Sequence, residues 1–339
     1  MKAIVYSSPG KFKYTDVPKP TVKSDEVLIQ IKSCGLCRTD IHIHEGHFIA
    51  KFPLINGHEF AGIVEEVGEK VQDFKVGDRV LADNTELCGA CYFCRNNQPL
   101  YCENFVSHGC NCAGGFAEYV AIKAKKVFKI KNLSFREAVM VEPTACAIHG
   151  LDIIKARPGS EVLLFGAGPT GNILAQLLKQ NGAAYLTVAA PPGIKLDLIK
   201  KLAADEIVPV DKKDYSKHER TLITSHPKGF DIVIDATGVP QLLSETPKYA
   251  KVGGQIIAYG VYPEESNIIV KPYDIFKREL TIKGSFAQTH CFGRALLYLE
   301  NKQIKVDQLI THEIHLKDYG KALKIMKERQ GVKIAIIPS

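Results

Sequence analysis

Residues 164–171 read LFGAGPTG, an apolar run ending in three glycines spaced G-x-G-x-x-G. In such a turn Gly166 makes the tight bend, Gly168 lets the backbone approach a pyrophosphate, and Gly171 permits close packing of helix on strand. Pro169 and Thr170 open the following helix, whose positive end faces the phosphates. Alone the spacing is weak evidence. Here EVLLFG before it is a buried-type strand, and PTGNILAQLLKQNG after it is an amphipathic helix ending in glycine. YLTVAA, IKLDLIKKLAA, EIVPV, DIVIDATG, QLLSETPKYA and GGQIIAYG continue the alternation of strand and helix, with a mixed segment before DIVIDATG. That pattern predicts an α/β fold with a parallel sheet covered on both faces. One feature of a dinucleotide site is missing. About twenty residues after the turn an Asp or Glu normally holds the adenosine ribose, yet residues 185–195 read YLTVAAPPGIK.

Outward from this core, the chain of 339 residues suits two domains. The first half is β-rich: EVLIQIKSCG and AGIVEEVG alternate in burial between glycine and proline turns. The reading divides the chain into residues 1–152, 153–287 and 288–339. The last part carries two helices, RALLYLENK and YGKALKIMKE, and ends in the strand-like VKIAIIPS, which leaves the α/β alternation and can return to the first domain. Apolar residues at 45% and charged ones at 24% describe a soluble globular protein. The longest apolar runs are far too short for a membrane span, and MKAIVYSSPGKFKY has no signal-peptide segment, so a cytoplasmic protein is expected. The net charge of +7 is dispersed. KAKKVFKIK and DKKDYSKHER mix lysines with apolar or acidic residues, which describes solvated faces and not a nucleic-acid stripe.

Ten cysteines without a secretion signal point to metal or thiol chemistry. Cys88, Cys91, Cys94 and Cys102 are spaced C-x2-C-x2-C-x7-C. Short gaps let consecutive thiolates converge on one ion, and four sulfurs with no open position describe a structural zinc. Elsewhere SCGLCRTDIHIHEGH and INGHEF supply Cys37, His58 and Glu59, a thiolate, an imidazole and a carboxylate, the donor mix of a catalytic zinc with one position open. By spacing alone, a small buried cysteine and a satisfied polar histidine are the commoner readings of Cys37 and His58.

The order GLCRTDIH, GHE, the four-cysteine lobe, VEP and GAGPTG resembles the zinc-dependent medium-chain alcohol and polyol dehydrogenases over essentially the whole chain. The resemblance implies a GroES-like β-rich catalytic domain, an inserted Rossmann domain and a C-terminal tail rejoining the first. It implies two zinc ions, the catalytic one held by Cys37, His58 and Glu59. Glu142, followed by proline, stands where alcohol dehydrogenases commonly carry a third ligand cysteine. That is the sorbitol-dehydrogenase-like pattern, in which Glu142 is close enough to bind in some states. Zinc lowers the pKa of an alcohol, whose carbon then passes hydride to a nicotinamide. Thr39 matches the family's relay hydroxyl and His42 its outer histidine.

In NAD-using relatives the ribose-binding aspartate falls at Ala190, where alanine leaves room for the 2′-phosphate of NADP. Lys195 matches a basic residue of NADP-preferring relatives, serving as a point charge. NADP(H) is therefore expected over NAD(H). The implied substrates are secondary alcohols or polyols and their ketones or ketoses, pentitols ahead of sorbitol. Ala287 replaces an arginine of sorbitol dehydrogenases, and Ile43 and His44 replace their aromatic residues. Phe52, Phe116 and Phe286 are candidates for the pocket or for core packing. Primary-alcohol or formaldehyde oxidation is the rival within the class. A quinone-reductase-like protein lacks this ligand set, and a non-catalytic zinc-binding relative has lost part of it. The resemblance implies a homodimer or homotetramer pairing near GGQIIAYG, and the dispersed charge and short apolar runs imply no nucleic-acid or membrane partner.

Overall fold

The computed structural model describes residues 1–47 and 49–338, and the chain packs as two units. One comprises Met1–Glu142 with Phe292–Ser339, the other Pro143–Cys291.

In the first unit, β1 (Lys2–Ser8) and β2 (Lys11–Asp16) form an antiparallel hairpin. β3 (Glu26–Leu36) follows, the longest strand of this unit and largely buried on both faces. Its length and its Val, Leu and Ile content suit the centre of a sheet. The short helix α1 (Arg38–His44) leads to β4 (Glu59–Val67), which pairs antiparallel with β3. β5 (Arg79–Ala82) continues the sheet; β6 (Thr85–Glu86) leaves it for a lobe containing α2 (Tyr92–Arg95), which β7 (Val106–Ser107) closes by pairing with β6. β8 (Tyr119–Lys123) pairs with β3, and β9 (Val127–Lys129) with β5. α3 (Phe135–Ala138) begins at a capping box between Ser134 and Glu137 and precedes α4 (Val141–Ile154), within which the division between units falls.

The second unit alternates strictly. β10 (Ser160–Phe165), α5 (Pro169–Gln180), β11 (Ala183–Ala190), α6 (Ile194–Leu202), β12 (Glu206–Pro209), α7 (Ser216–Ser225), β13 (Phe230–Asp235), α8 (Pro240–Glu245), β14 (Ala250–Ala258), α9 (Pro272–Arg278) and β15 (Thr281–Gly284) follow in turn. The sheet order is β12-β11-β10-β13-β14-β15, all parallel. Strand order reverses at β10, so the glycine turn sits at the switch point where such sheets take their ligands. Two helices lie outside the sequence reading. α7 buries only His218 and Leu222 and α9 buries nothing, so neither leaves a strong apolar stripe in the sequence.

The chain then returns to the first unit. α10 (Phe292–Glu300), β16 (Ile310–His315), α11 (Tyr319–Lys327) and β17 (Lys333–Ile337) complete it. β17 pairs antiparallel with the end of β3 and parallel with β16, giving a seven-stranded sheet in which β8 branches from β3. Against the sequence division at 152 and 287, contacts place the second unit at Pro143–Cys291. Among the described residues no helix is long and apolar enough to cross a membrane.

Candidate metal centres and dinucleotide site

Cys37, His58 and Glu59 meet because β3 ends where β4 begins. Gly35 is the register partner of Glu59, so the residues just after β3 and just before β4 are neighbours. One ligand atom from each of Cys37, His58 and Glu59 lies within 4.8 Å of the others. His58 and Glu59 are buried, and Cys37 is partly exposed. The donor set fits a zinc ion with an accessible side.

The surroundings hold these groups in place. The Asp40 carboxylate accepts from the Cys37 amide at 2.9 Å, and its other oxygen lies 3.7 Å from His58 Nδ1. Asp40 is fully buried, which pushes its carboxyl up to about 6 against the pull of His58 and the Cys37 amide. Burial disfavours the His58 cation, but the Cys110 thiol, Asp40 and Cys37 outweigh it and move the imidazole well above its ordinary range. Asp40 Oδ1 and His58 Nδ1 have no hydrogen-bond partner at their present spacing; a ligating histidine usually gives its second nitrogen to such a carboxylate.

Glu59 lies over Gly35, where a Cβ would come within 1.9 Å of its Oε2. Both Glu59 oxygens accept from Lys333 Nζ at 2.6 Å, from the start of β17. Sequence reasoning did not single out Lys333 or Asp40. Asp40 stands inside the GLCRTDIH motif, and Lys333 carried no local signal. Glu142 lies in the first turn of α4, outside the 4.8 Å group, although its charge reaches Lys333. Thr39 Oγ1 is 3.7 Å from the Cys37 sulfur. Burial, and then Arg38, lower the pKa of His42 below its usual 6.5.

The pocket candidates separate. Phe116 is fully buried against Tyr319 at 5.1 Å, and Phe52 packs on the same core. Ile43 is buried with Leu54 and Cys110. His44 Nδ1 is hydrogen-bonded to Tyr6 at 3.0 Å. Phe286 is exposed, and Ala287 adopts φ of 46°, a left-handed conformation uncommon outside glycine.

In the lobe, Cys88, Cys91, Cys94 and Cys102 also have sulfurs within 4.8 Å of one another. Cys91 and Cys102 sulfurs are 4.0 Å apart, close to the ~3.8 Å expected from tetrahedral Zn–S bonds of about 2.3 Å. The amides of Ala90 and Cys91 donate to the Cys88 sulfur at 3.4 and 3.3 Å. They hold that thiol down to about 6, favouring a thiolate. At the base of the lobe Glu86 bridges His108 at 2.9 Å and Lys123 at 2.5 Å.

The glycine turn has the geometry its spacing implies. Gly166 has φ of 107°, a Cβ on Gly168 would meet nothing within 4 Å, and one on Gly171 would lie 2.4 Å from the Gly166 carbonyl oxygen. Pro169 and Thr170 are the first residues of α5, and Gly168 is its N-cap without a side-chain bond, leaving the helix amides for an anion. Buried Asn172 clamps the turn by donating to the Ala167 and Gly168 carbonyls at 2.8 and 3.2 Å. Ala190 ends β11, and Lys195 lies in the first turn of α6 after the left-handed Gly193. A carboxylate is thus absent where β11 gives way to the loop.

Comparison with known proteins agrees with this arrangement. Residues 23–132 match the alcohol dehydrogenase GroES-like domain, and residues 169–319 match the zinc-binding dehydrogenase family. D-arabinitol dehydrogenase 1 of Uromyces fabae is 47% identical over 100% of this chain and 97% of its own. A zinc-binding dehydrogenase from Sinorhizobium meliloti, solved bound to NADP, superposes with a TM-score of 0.94 at 30% identity, covering 99% of each chain. RspB from Escherichia coli, solved with NADH, gives 0.91 at 28% identity over 99% of each.

Proposed function

Since the chain belongs to the zinc-dependent alcohol dehydrogenase family, we propose that it oxidises a polyol, a pentitol of the arabinitol type, to its ketose with NADP as acceptor. The convergence of Cys37, His58 and Glu59 carries this reading, and the 47% identity to an arabinitol dehydrogenase supports the substrate class. Zinc held by these three residues supplies a Lewis acid that lowers the pKa of an alcohol and polarises a ketone. Glu142 serves as an alternative ligand in some states. A second zinc in the lobe is structural, held by Cys88, Cys91, Cys94 and Cys102.

The chain's own groups handle the proton and the cofactor. Thr39 passes the alcohol proton toward His42, which its lowered pKa keeps neutral near pH 7 and able to accept it. The amides at the start of α5 hold the pyrophosphate, and Ala190 leaves space for a 2′-phosphate that Lys195 pairs. The chain works in the cytoplasm as a homodimer or homotetramer. Supporting this, β15 is a sheet edge, Ile282 on it is exposed, and Ile269 and Phe276 are 86% and 80% exposed. Large apolar side chains near an unpaired strand suit a self-complementary contact.

The test is a panel of pentitols, hexitols and small secondary alcohols, each run with NADP and NAD and with a zinc chelator. Pentitol oxidation with NADP, abolished by the chelator, is the expected result. Equal kcat/KM for the two cofactors, or a preference for NAD, overturns the cofactor assignment; chelator-resistant turnover overturns the metal assignment.

A further inference from the structure

Lys333 is the first residue of β17, and its neighbours Ile334 and Ala335 pair with Leu36 and Gly35 of β3, while Gly35 pairs on its other side with Glu59. Gly35 has no side chain, so the lysine can reach across β3 to the carboxylate lying over it. The ammonium meets both Glu59 oxygens at 2.6 Å and also approaches the Leu36 carbonyl at 3.5 Å. The side chains of Lys333 and Glu59 are only 3% and 0% exposed. A buried lysine needs a partner, but the position of this partner is notable: Glu59 is also one of the three groups gathered for a metal ion.

A carboxylate engaged on both oxygens by an ammonium is a weaker ligand than a free one, because any move toward a metal gives up a charged hydrogen bond in a dry site. The lysine charge also opposes that of a dication nearby. We propose that Lys333 is a positioning residue that restrains Glu59, keeping the carboxylate from closing permanently on the metal and so leaving a coordination position for the alcohol. This rests on the open metal site proposed above. It differs from ordinary outer-shell support, in which removing the partner weakens metal binding about 10–100-fold. Here removal has the opposite sign.

The experiment measures zinc affinity by chelator competition, alongside kcat, for wild type, Lys333→Met, Glu59→Gln and the double variant. Lys333→Met is expected to bind the second zinc about tenfold or more tightly than wild type, because the unpaired carboxylate becomes a full ligand, while kcat falls by a similar factor. In the Glu59→Gln background the lysine substitution should raise zinc affinity by much less than in the wild-type background, only the loss of the lysine charge remaining. Weaker or unchanged affinity in Lys333→Met overturns the proposal. Should that variant fail to fold, crystals of wild type with and without zinc decide. With zinc loaded, at least one Lys333–Glu59 contact must stay within hydrogen-bond range, and loss of both with the carboxylate closed on the metal refutes it. A wild type that takes up only the lobe zinc instead overturns the open metal site itself.

Discussion

Gly35→Ala is the sharpest test of how the metal centre is built. An alanine Cβ would stand 1.9 Å from Glu59 Oε2, 3.1 Å from Cδ and 3.2 Å from Cβ of the same side chain. Ordinary contact begins at 3.4 Å, so the carboxylate must retreat by about 1.5 Å. A carboxylate at the end of a free side chain would swing away at little cost. Glu59 cannot, because it is 1% exposed and tied at both oxygens to Lys333. Nor can the backbone yield easily, since Gly35 is paired with Ala335 on one side and Glu59 on the other. Retreat by that distance carries the carboxylate out of hydrogen-bond range of the ammonium, breaking a buried ion pair at a cost of roughly 3–5 kcal/mol. For a unit of this size the loss lowers Tm by about 10 °C. Misplacing the proposed metal ligand by more than an ångström should also cut kcat/KM about 100-fold. Differential scanning fluorimetry and steady-state kinetics read both effects. Gly293→Ala, where a Cβ meets nothing within 4 Å, serves as the control with Tm unchanged or slightly raised. A Gly35→Ala protein with wild-type Tm and activity refutes the account of Glu59 as a pinned group.

Four further substitutions probe separate parts of the molecule. Ala190→Asp places a carboxylate at the end of β11 and should lower kcat/KM for NADP on the order of 100-fold while improving NAD, as like charges juxtaposed cost several kcal/mol; an unchanged ratio of the two cofactors counts against the assignment. Cys37→Ser should leave one zinc per chain by elemental analysis and abolish turnover with Tm close to wild type. Cys94→Ser should chiefly lower Tm, and identical behaviour of the two variants would show that the centres are not distinct in role. His218 is buried among Phe165, Tyr215 and Tyr249 with both ring nitrogens unpartnered. Burial lowers its pKa; Glu219 opposes that shift, Lys248 adds to it and Asp214 opposes it. A histidine whose folded pKa is depressed gives stability that is full above its unfolded value near 6.5 and declines as pH falls below it. His218→Phe should therefore gain Tm relative to wild type, by a margin that widens from pH 7.5 to pH 5; a constant margin removes the titration from the explanation.

What the sequence disclosed follows from how local each constraint is. Gly166 and Gly171 were readable because the backbone admits no other residue there, one through its φ of 107° and the other through a carbonyl 2.4 Å from any Cβ. The four lobe cysteines were readable because fifteen residues of chain contain the whole cluster. Cys37, His58 and Glu59 come from two segments, and only the resemblance joined them; in the fold, the pairing of Gly35 with Glu59 does so physically. Lys333 is 274 residues from Glu59, in a strand that sequence reading could place only as a returning tail. Nothing in VKIAIIPS distinguishes it from a solvated lysine at a strand end. The helices α7 and α9 escaped for the opposite reason, since few or none of their residues are buried and they contribute little to the core.

The cofactor question shows where fold stops being informative. The S. meliloti enzyme solved with NADP and the E. coli protein solved with NADH both superpose on this chain, at TM-scores of 0.94 and 0.91. The shared fold is thus found with either dinucleotide in these relatives, because pyrophosphate binding at a helix N-terminus does not involve the ribose 2′ position. On the proposed reading, discrimination arises where β11 ends. There Ala190 still accepts the Val210 amide at 2.9 Å, so the strand stays ordered to its last residue. Beyond it Pro191, Pro192 and Gly193 are exposed. Gly193 takes φ of 134° with open space where a side chain would stand. A short, uncharged strand end and an uncrowded loop impose no repulsion on a dianionic phosphate, whereas one aspartate at position 190 would supply it. On the proposed reading the side chain at this single strand end sets the choice of cofactor, Lys195 adds attraction, and Ala190→Asp should reverse the choice without altering the frame.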